Sequence, residues 1–120
     1  MNAENTLSRF KLISGLDDSE ALKWSDLINE AREYIGSLVT KEDVFERDEK
    51  RLDNAAAVYA YYRYLSYTIS DESSFSAGDL RLSFNNDKLR AAKEMWESEL
   101  ESLQDIADTE KTLFSFKRVK

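Results

Sequence analysis

Proline is absent from this chain of 120 residues, and glycine occurs only three times, at Gly15, Gly36 and Gly78. These residues are the usual interruptions of a helix, because proline lacks a backbone donor and glycine loses the most conformational freedom on ordering. A chain with so few interruptions favours long helices joined by few turns. Since 120 residues is also an ordinary size for one domain, we expect a single helical domain over residues 1–120.

Apolar residues recur at helical spacing in four stretches of the sequence. The pattern predicts a short helix over Thr6–Leu16, ended by Gly15, and longer helices over Ser19–Val39, Lys41–Ser70 and Asp87–Asp108. We expect these stripes to bury Trp24, Ile28, Tyr59, Leu65, Trp96, Leu100 and Leu103. The sequence therefore predicts a mainly all-α fold, a small bundle of three long helices plus a short N-terminal helix.

The predicted third helix has two unlike parts. Its first part, KEDVFERDEKR, is heavily charged, and we expect it to be solvated. Its second part, LDNAAAVYAYYRYLSYTI, is apolar nearly all round, which is typical of the centre of a domain or of a subunit interface. Its tyrosines would also suit stacking on single-stranded nucleic acid, but only Arg63 is basic nearby, so core or interface is favoured. The cluster comprises Tyr59, Tyr61, Tyr62, Tyr64 and Tyr67.

Two other segments alternate between apolar and polar residues with a period of two. The first reads DLRLSF, which predicts a short extended segment near 79–84. The second reads TLFSFKRVK and places Phe114 and Phe116 on one side, so we expect an extended C-terminal arm over residues 111–120. Such an arm can fold back onto the core or add a strand to a partner's sheet, and the pattern leaves both open.

Composition excludes several classes of function. Cysteine and histidine are absent, which removes thiol nucleophiles, ordinary zinc sites and the side chain that most often moves protons near neutral pH. The net charge is −7, whereas tight binding to DNA phosphates normally needs a basic face. No run of about 18 apolar residues occurs, and charges interrupt the N-terminal apolar stretch, so we expect neither a membrane span nor a signal peptide.

Two polar features of the sequence are candidate sites of chemistry. Glu94, Glu97 and Glu101 fall on neighbouring turns of the last predicted helix, and paired carboxylates can bind Mg²⁺ or transfer protons. No other polar group converges with them, so a solvated charged face is favoured. Gly78 stands alone in SAGD, which indicates a turn and not a phosphate loop. We therefore expect no catalytic residue, no cofactor, no metal site and no enzymatic activity.

The order of the elements forms a pattern of its own. AAAVYAYYRYL in a long helix is followed by FSAGDLRLS, then by an amphipathic helix, then by LFSFKRV. This order resembles the small head–tail connector proteins of tailed bacteriophages and prophages, also called head-completion or adaptor proteins. The likeness covers Leu22–Val119, and its strongest parts are the tyrosine-rich helix, the F-x-x-G-D-x-x-x-S segment and the aromatic, basic end.

The resemblance implies a small helical bundle that assembles with neighbouring copies of itself as an oligomeric ring beneath the portal protein. Such a ring extends the DNA channel, lets double-stranded DNA pass without specific binding, and joins the head to a downstream tail or stopper protein. It would be made in the bacterial cytoplasm and reside at the head–tail junction of the virion, without contacting a membrane. The family's contact segments fall here on Phe75, Gly78, Asp79, Leu80, Arg81, Leu82 and Phe84, and on Phe114, Phe116, Lys117 and Arg118.

Two other classes of protein stay open from the sequence. One is a cytosolic helical interaction module without a phage role. The other is an acidic DNA mimic, which should array carboxylates at phosphate-like spacing and has no need of a basic aromatic tail. Like charge in a DNA channel prevents sticking, so the acidic composition also suits a connector.

Overall fold

A computed structural model describes the backbone of residues 3–39, 46–73 and 79–106, and the side chains of residues 4–39, 48–69 and 86–106. Within these ranges the helices are α1 (Ala3–Ser14), α2 (Asp18–Leu22), α3 (Ser25–Leu38), α4 (Glu46–Ser73) and α5 (Asp79–Ser102). The described part of the chain contains no strand, so the predicted all-α helical bundle is confirmed. The predicted arm over residues 111–120 lies outside it.

The first turn of the chain forms where the sequence predicts it. Gly15 has a φ of +75°, which is costly for residues with a side chain, and its N–H donates to the Lys11 carbonyl at 2.9 Å. Asp17 then caps α2 by accepting a hydrogen bond from the N–H of Glu20 at 2.8 Å. The chain thus leaves α1 and starts α2 within three residues.

The predicted helix over Ser19–Val39 is divided into α2 and α3. Trp24, at φ −102° and ψ 15°, separates them, and the Ser25 hydroxyl donates to the Leu22 carbonyl at 2.8 Å. A serine that bonds to a nearby carbonyl offers the backbone an alternative to the helical ladder. The chain consequently turns at Trp24, whose ring meets the Tyr64 ring edge-on at 4.8 Å between centroids.

Helix α4 is the centre of the bundle and packs against α1, α3 and α5. On one side of α4, Ala57 and Ala60 cluster with Phe10 and Ile28 of the N-terminal helices. On another side it meets a larger cluster that contains Ile35, Leu52, Ala55, Ala56, Val58, Trp96, Leu100, Leu103 and Ile106. Of the side chains predicted to be buried, Ile28, Leu65, Trp96, Leu100 and Leu103 are buried, whereas Trp24 and Tyr59 are partly exposed.

The predicted extended segment near 79–84 is wrong, because α5 begins at Asp79 and runs through the whole segment. Three alternating apolar residues fit a helix as well as a strand. Leu80 and Phe84 are four residues apart, and Leu82 lies seven residues before Leu89, so each pair falls on one side of a helix. With no glycine or proline from Asp79 onward, nothing in the segment opposes the helix.

The sequence predicts that the charged start of α4 is solvated, but one of its charged side chains is buried. Asp48 is only 1% exposed, and the Arg51 guanidinium donates to its carboxylate at 3.0 Å. The same guanidinium donates to Asp105 at 2.7 Å and also to the Ser102 carbonyl. We call Asp48, Arg51 and Asp105 the polar clamp, because they tie the start of α4 to the chain that follows α5.

None of the helices in the described ranges is both long and apolar enough to cross a lipid bilayer.

Candidate functional site

The predicted interface residues fall mostly outside the described part of the chain. The structure gives a helical backbone for Asp79–Phe84 but no side-chain positions. Phe75, Gly78 and the four interface residues between Phe114 and Arg118 lie outside the described ranges. Their role as contact residues therefore stays a prediction.

The described residues form a different candidate site, an aromatic cleft where α3, α4 and α5 meet. Tyr34 of α3 stacks on Tyr59 of α4, with ring centroids 4.8 Å apart and an interplanar angle of 29°. Tyr59 in turn packs against Trp96 of α5 at 4.7 Å between centroids. Because Trp96 is only 1% exposed, these rings form the floor of the cleft and bind all three helices together.

The wall of the cleft on α4 follows from helical spacing. Positions 59, 62, 63, 66 and 67 are spaced i, i+3, i+4, i+7 and i+8, which places them along one side of the helix. Together with one residue each from α3 and α5 they enclose about 370 Å³. The full lining is Tyr34, Tyr59, Tyr62, Arg63, Ser66, Tyr67 and Trp96. The cleft is therefore a largely aromatic concavity with a single cationic side chain.

Arg63 is held over the rings of the cleft. Its guanidinium carbon lies 5.8 Å from the Tyr59 ring centroid and 5.6 Å from that of Tyr67, within the range of cation–π attraction. It also donates to the Tyr67 hydroxyl at 2.7 Å and to the Glu30 carboxylate at 3.2 Å. The charge of Arg63 is thus already shared among two rings, a phenol and a carboxylate.

Two of the phenols that line the cleft, Tyr59 and Tyr62, have a raised pKa. Burial raises the pKa of Tyr59, with the positive charge of Arg63 opposing the shift. Burial also raises the pKa of Tyr62, and the nearby carboxylate of Glu97 adds to that rise. Two carboxylates therefore stand beside the cleft, Glu97 near Tyr62 and Glu30 paired with Arg63.

A second, smaller concavity of about 230 Å³ lies between α1 and α4. Its lining is Asn5, Ser8, Arg9, Leu12, Lys50 and Asp53. The Thr6 hydroxyl donates to Asp53 at 3.2 Å, and both side chains are buried, so this carboxylate takes part in the packing of α1 on α4. Leu12 is 76% exposed beside it. The mixed lining gives this concavity no clear chemical selectivity.

The carboxylates of α5 that could bind a metal form an outer face instead. Glu94 and Glu101 are exposed, and Glu97 is partly exposed at the rim of the cleft. Within the ranges the structure describes, no three acidic residues converge closely enough to hold a metal ion.

The sequence pattern singles out the tyrosines of α4 but not Tyr34, which belongs to the same site. A usable signal exists, because Tyr34 lies three residues after Ala31 and four before Leu38, on the apolar stripe of its helix. The polar clamp has no comparable signal. Arg51 and Asp105 are 54 residues apart, and neither stands out among the charges around it.

Comparison of the chain with known protein families, with curated proteins and with solved structures finds no match.

Proposed function

We propose that this chain is a structural head–tail connector of a tailed bacteriophage or prophage. It forms an oligomeric ring with copies of itself under the portal protein, extends the DNA channel and joins the head to a downstream tail or stopper protein. It catalyses no reaction. The observation that carries the proposal is the order of the tyrosine-rich helix, the FSAGDLRLS segment, the amphipathic helix and the LFSFKRV end.

The fold is of the kind that this role requires. The resemblance implies a small helical bundle, and the described residues form one around α4. A wide apolar face on the central helix is typical of proteins whose surfaces pack against other chains. These features support a role that depends on contact with other protein chains.

The distribution of charge suits a channel protein. The last ten residues carry four positive charges and no negative ones, so the rest of the chain has a net charge of −11 against −7 for the whole. An acidic body repels the phosphates of passing DNA, while a basic end can contact an acidic surface on a partner. In the proposed ring, Phe114 and Phe116 anchor this end and Lys117 and Arg118 give it charge complementarity.

Gene order and ring assembly test the proposal. The gene is expected to lie beside portal, terminase and capsid genes. Purified full-length chain mixed with the portal protein from the same genome should add a ring to the portal, visible by electron microscopy as a new layer of density under it. Double-stranded DNA at physiological salt should show no shift with the chain alone, because the body is acidic.

The matched control is a full-length chain with Phe114→Ser and Phe116→Ser. It should retain its helical circular dichroism and lose the added ring, since the changes remove the proposed anchors and leave the helices intact. Portal that stays bare with the unchanged chain would refute the connector role. Capture of a DNA-binding protein in competition with DNA would favour the mimic instead.

A further inference from the structure

The aromatic cleft exposes apolar surface that a complementary side chain would cover. Tyr67 is 49% exposed, and it lines the cleft together with the rings of Tyr59 and Trp96. Covering apolar surface is favourable by roughly 25 cal/mol per Å², and aromatic rings gain further from edge or offset contacts. A suitable occupant therefore carries flat aromatic side chains and, because of the carboxylates of Glu30 and Glu97 at the rim, positive charge.

We propose that the C-terminal segment of the same chain, residues 113–118, docks in the aromatic cleft. Its sequence, LFSFKR, supplies two phenylalanines and two cations in six residues. In an extended backbone Phe114 and Phe116 point to the same side, so both rings can enter the cleft together. The adjacent Lys117 and Arg118 then meet the carboxylates beside the cleft.

The chain is long enough for this docking. Ile106, the last described residue, is fully buried and belongs to the same core cluster as Trp96 of the cleft. Trp96 and Ile106 are ten residues apart along helix and turn, which corresponds to a rise of about 15 Å. The seven residues from 107 to 113 span up to roughly 23–25 Å when extended. The reach of Phe114 thus exceeds the distance back to the cleft.

The docking segment comes from the same chain and not from a second copy. Two phenylalanines bury roughly 300–500 Å², well short of the 1,000 Å² or so that a stable association between two proteins needs. A short flexible tether instead gives an effective concentration in the millimolar range, which makes weak contacts sufficient. The contact is therefore favoured within one chain and marginal between chains.

Docking in the cleft would compete with the binding of the C-terminal segment to any other partner. A partner that binds Phe114 and Phe116 must first displace them from the cleft, which lowers its apparent affinity by the fraction of chains with the tail released. The inference does not depend on the connector role, since the tail can dock in the cleft whatever partner the protein serves.

Because the chain has no cysteine, engineered pairs can test the contact. The test pair is Ser66→Cys with Ser115→Cys, since Ser66 lines the cleft and Ser115 lies between the two phenylalanines. The matched control pair is Ser8→Cys with Ser115→Cys, since Ser8 lines the concavity between α1 and α4. A disulfide forms only when the two Cα atoms approach within about 7 Å.

We expect the test pair to form an internal disulfide at least about tenfold faster than the control pair in dilute full-length protein, as measured by intact mass. Phe114→Ser with Phe116→Ser in the test background should reduce its rate to that of the control pair. Equal rates for the two pairs, or no effect of the phenylalanine changes, would overturn the inference. A covalent dimer as the main product would assign the cleft to a second copy.

Nuclear magnetic resonance gives a readout that needs no cysteine. Phe114→Ser with Phe116→Ser in the full-length chain should shift the indole N–H signal of Trp96 and leave that of Trp24 unchanged, because only Trp96 lines the cleft. If neither indole signal moves, the tail does not occupy the cleft. Neither measurement requires a portal protein, so failure here is distinct from failure of the connector proposal.

Discussion

Alanines of α4 pack against the N-terminal helices on one side, whereas larger side chains, a hydrogen bond and an ion pair join α4 to α5 and the residues after it on another side. On the first side, Ala57 and Ala60 of α4 and Ala31 of α3 are fully buried around Phe10. A hydrogen bond from the Thr6 hydroxyl to the Asp53 carboxylate also joins α1 to α4. Small residues of this kind let two helix backbones approach closely.

On the α5 side of α4 the contacts involve larger side chains. Trp96, Leu100 and Leu103 fill the space between α4 and α5. At the end of this interface Arg51 bonds to Asp105, and Asn54 donates to Glu99 at 2.8 Å. We therefore expect different substitutions to lower the stability of the two interfaces. The N-terminal side should be sensitive to larger side chains, and the α5 side to smaller side chains or to a change of charge.

The largest expected effect is loss of bulk on the α5 side. Trp96→Ala removes a ring that is only 1% exposed and contacts both Tyr34 and Tyr59, and it should lower the free energy of unfolding by about 3–5 kcal/mol. Urea denaturation followed by circular dichroism measures the loss. Trp24→Ala is the matched control, with a smaller loss expected because Trp24 is partly exposed. An equal loss for the two variants would contradict the difference in packing.

Adding side-chain volume should lower the free energy of unfolding most where α4 packs against the N-terminal helices. Ala57→Leu forces new methyl groups between α4 and its N-terminal neighbours, where Ala57 is fully buried, and should cost about 1–3 kcal/mol in the same denaturation experiment. Ala91→Leu on the exposed surface of α5 should change stability by no more than about 0.5 kcal/mol. If Ala57→Leu were neutral, the close approach of the helices on this side would not constrain the fold.

A smaller effect should follow from breaking the polar clamp. Arg51→Met keeps much of the side-chain volume but leaves Asp48, at 1% exposure, without its guanidinium, and should cost about 1–2 kcal/mol. Asp105→Asn keeps Asp48 paired and changes only an exposed partner, so its loss should be under about 1 kcal/mol. The reverse order of the two losses would mean that the contact with Asp105 dominates the clamp.

Helical spacing was enough to predict the bundle, because Trp96, Leu100 and Leu103 repeat at intervals that only a helix places on one face. The start of α5 could not be predicted in this way. Over the six residues of DLRLSF, a period of two and a period of 3.6 both place apolar residues together, and the choice depends on the longer helix to which the segment belongs.

The candidate site was only partly predictable for a related reason. The tyrosines of α4 stand out in the sequence, and their spacing places Tyr59 and Tyr62 side by side. That Tyr34 and Trp96 converge on them depends on how α3 and α5 pack across α4, which no local pattern contains. The same limit applies to the polar clamp, whose partners come from distant parts of the chain.

The smallest expected effect concerns the pH dependence of the α5 interface. Burial raises the pKa of Glu99, while the hydrogen bond from Asn54 and the charge of Arg51 oppose the rise. The folded state therefore holds this proton more tightly than the unfolded chain does. The stability linked to it is fully present below the usual carboxyl pKa and is lost as the pH rises through the raised value.

Glu99→Gln removes the cost of burying a charge while keeping an oxygen that can accept from Asn54. At about pH 7 this substitution should raise the free energy of unfolding by less than about 1 kcal/mol. Below about pH 3.5 the gain should vanish, because the Glu99 carboxyl group is then neutral in both the folded and the unfolded state. Urea midpoints of the variant and the unchanged chain across this pH range measure the difference. Glu101→Gln, on the exposed face of the same helix, corrects for the loss of one negative charge from an acidic protein. A loss of stability for Glu99→Gln at about pH 7 that disappears at low pH would have the opposite sign, and would show that the carboxylate stabilises the interface through Asn54.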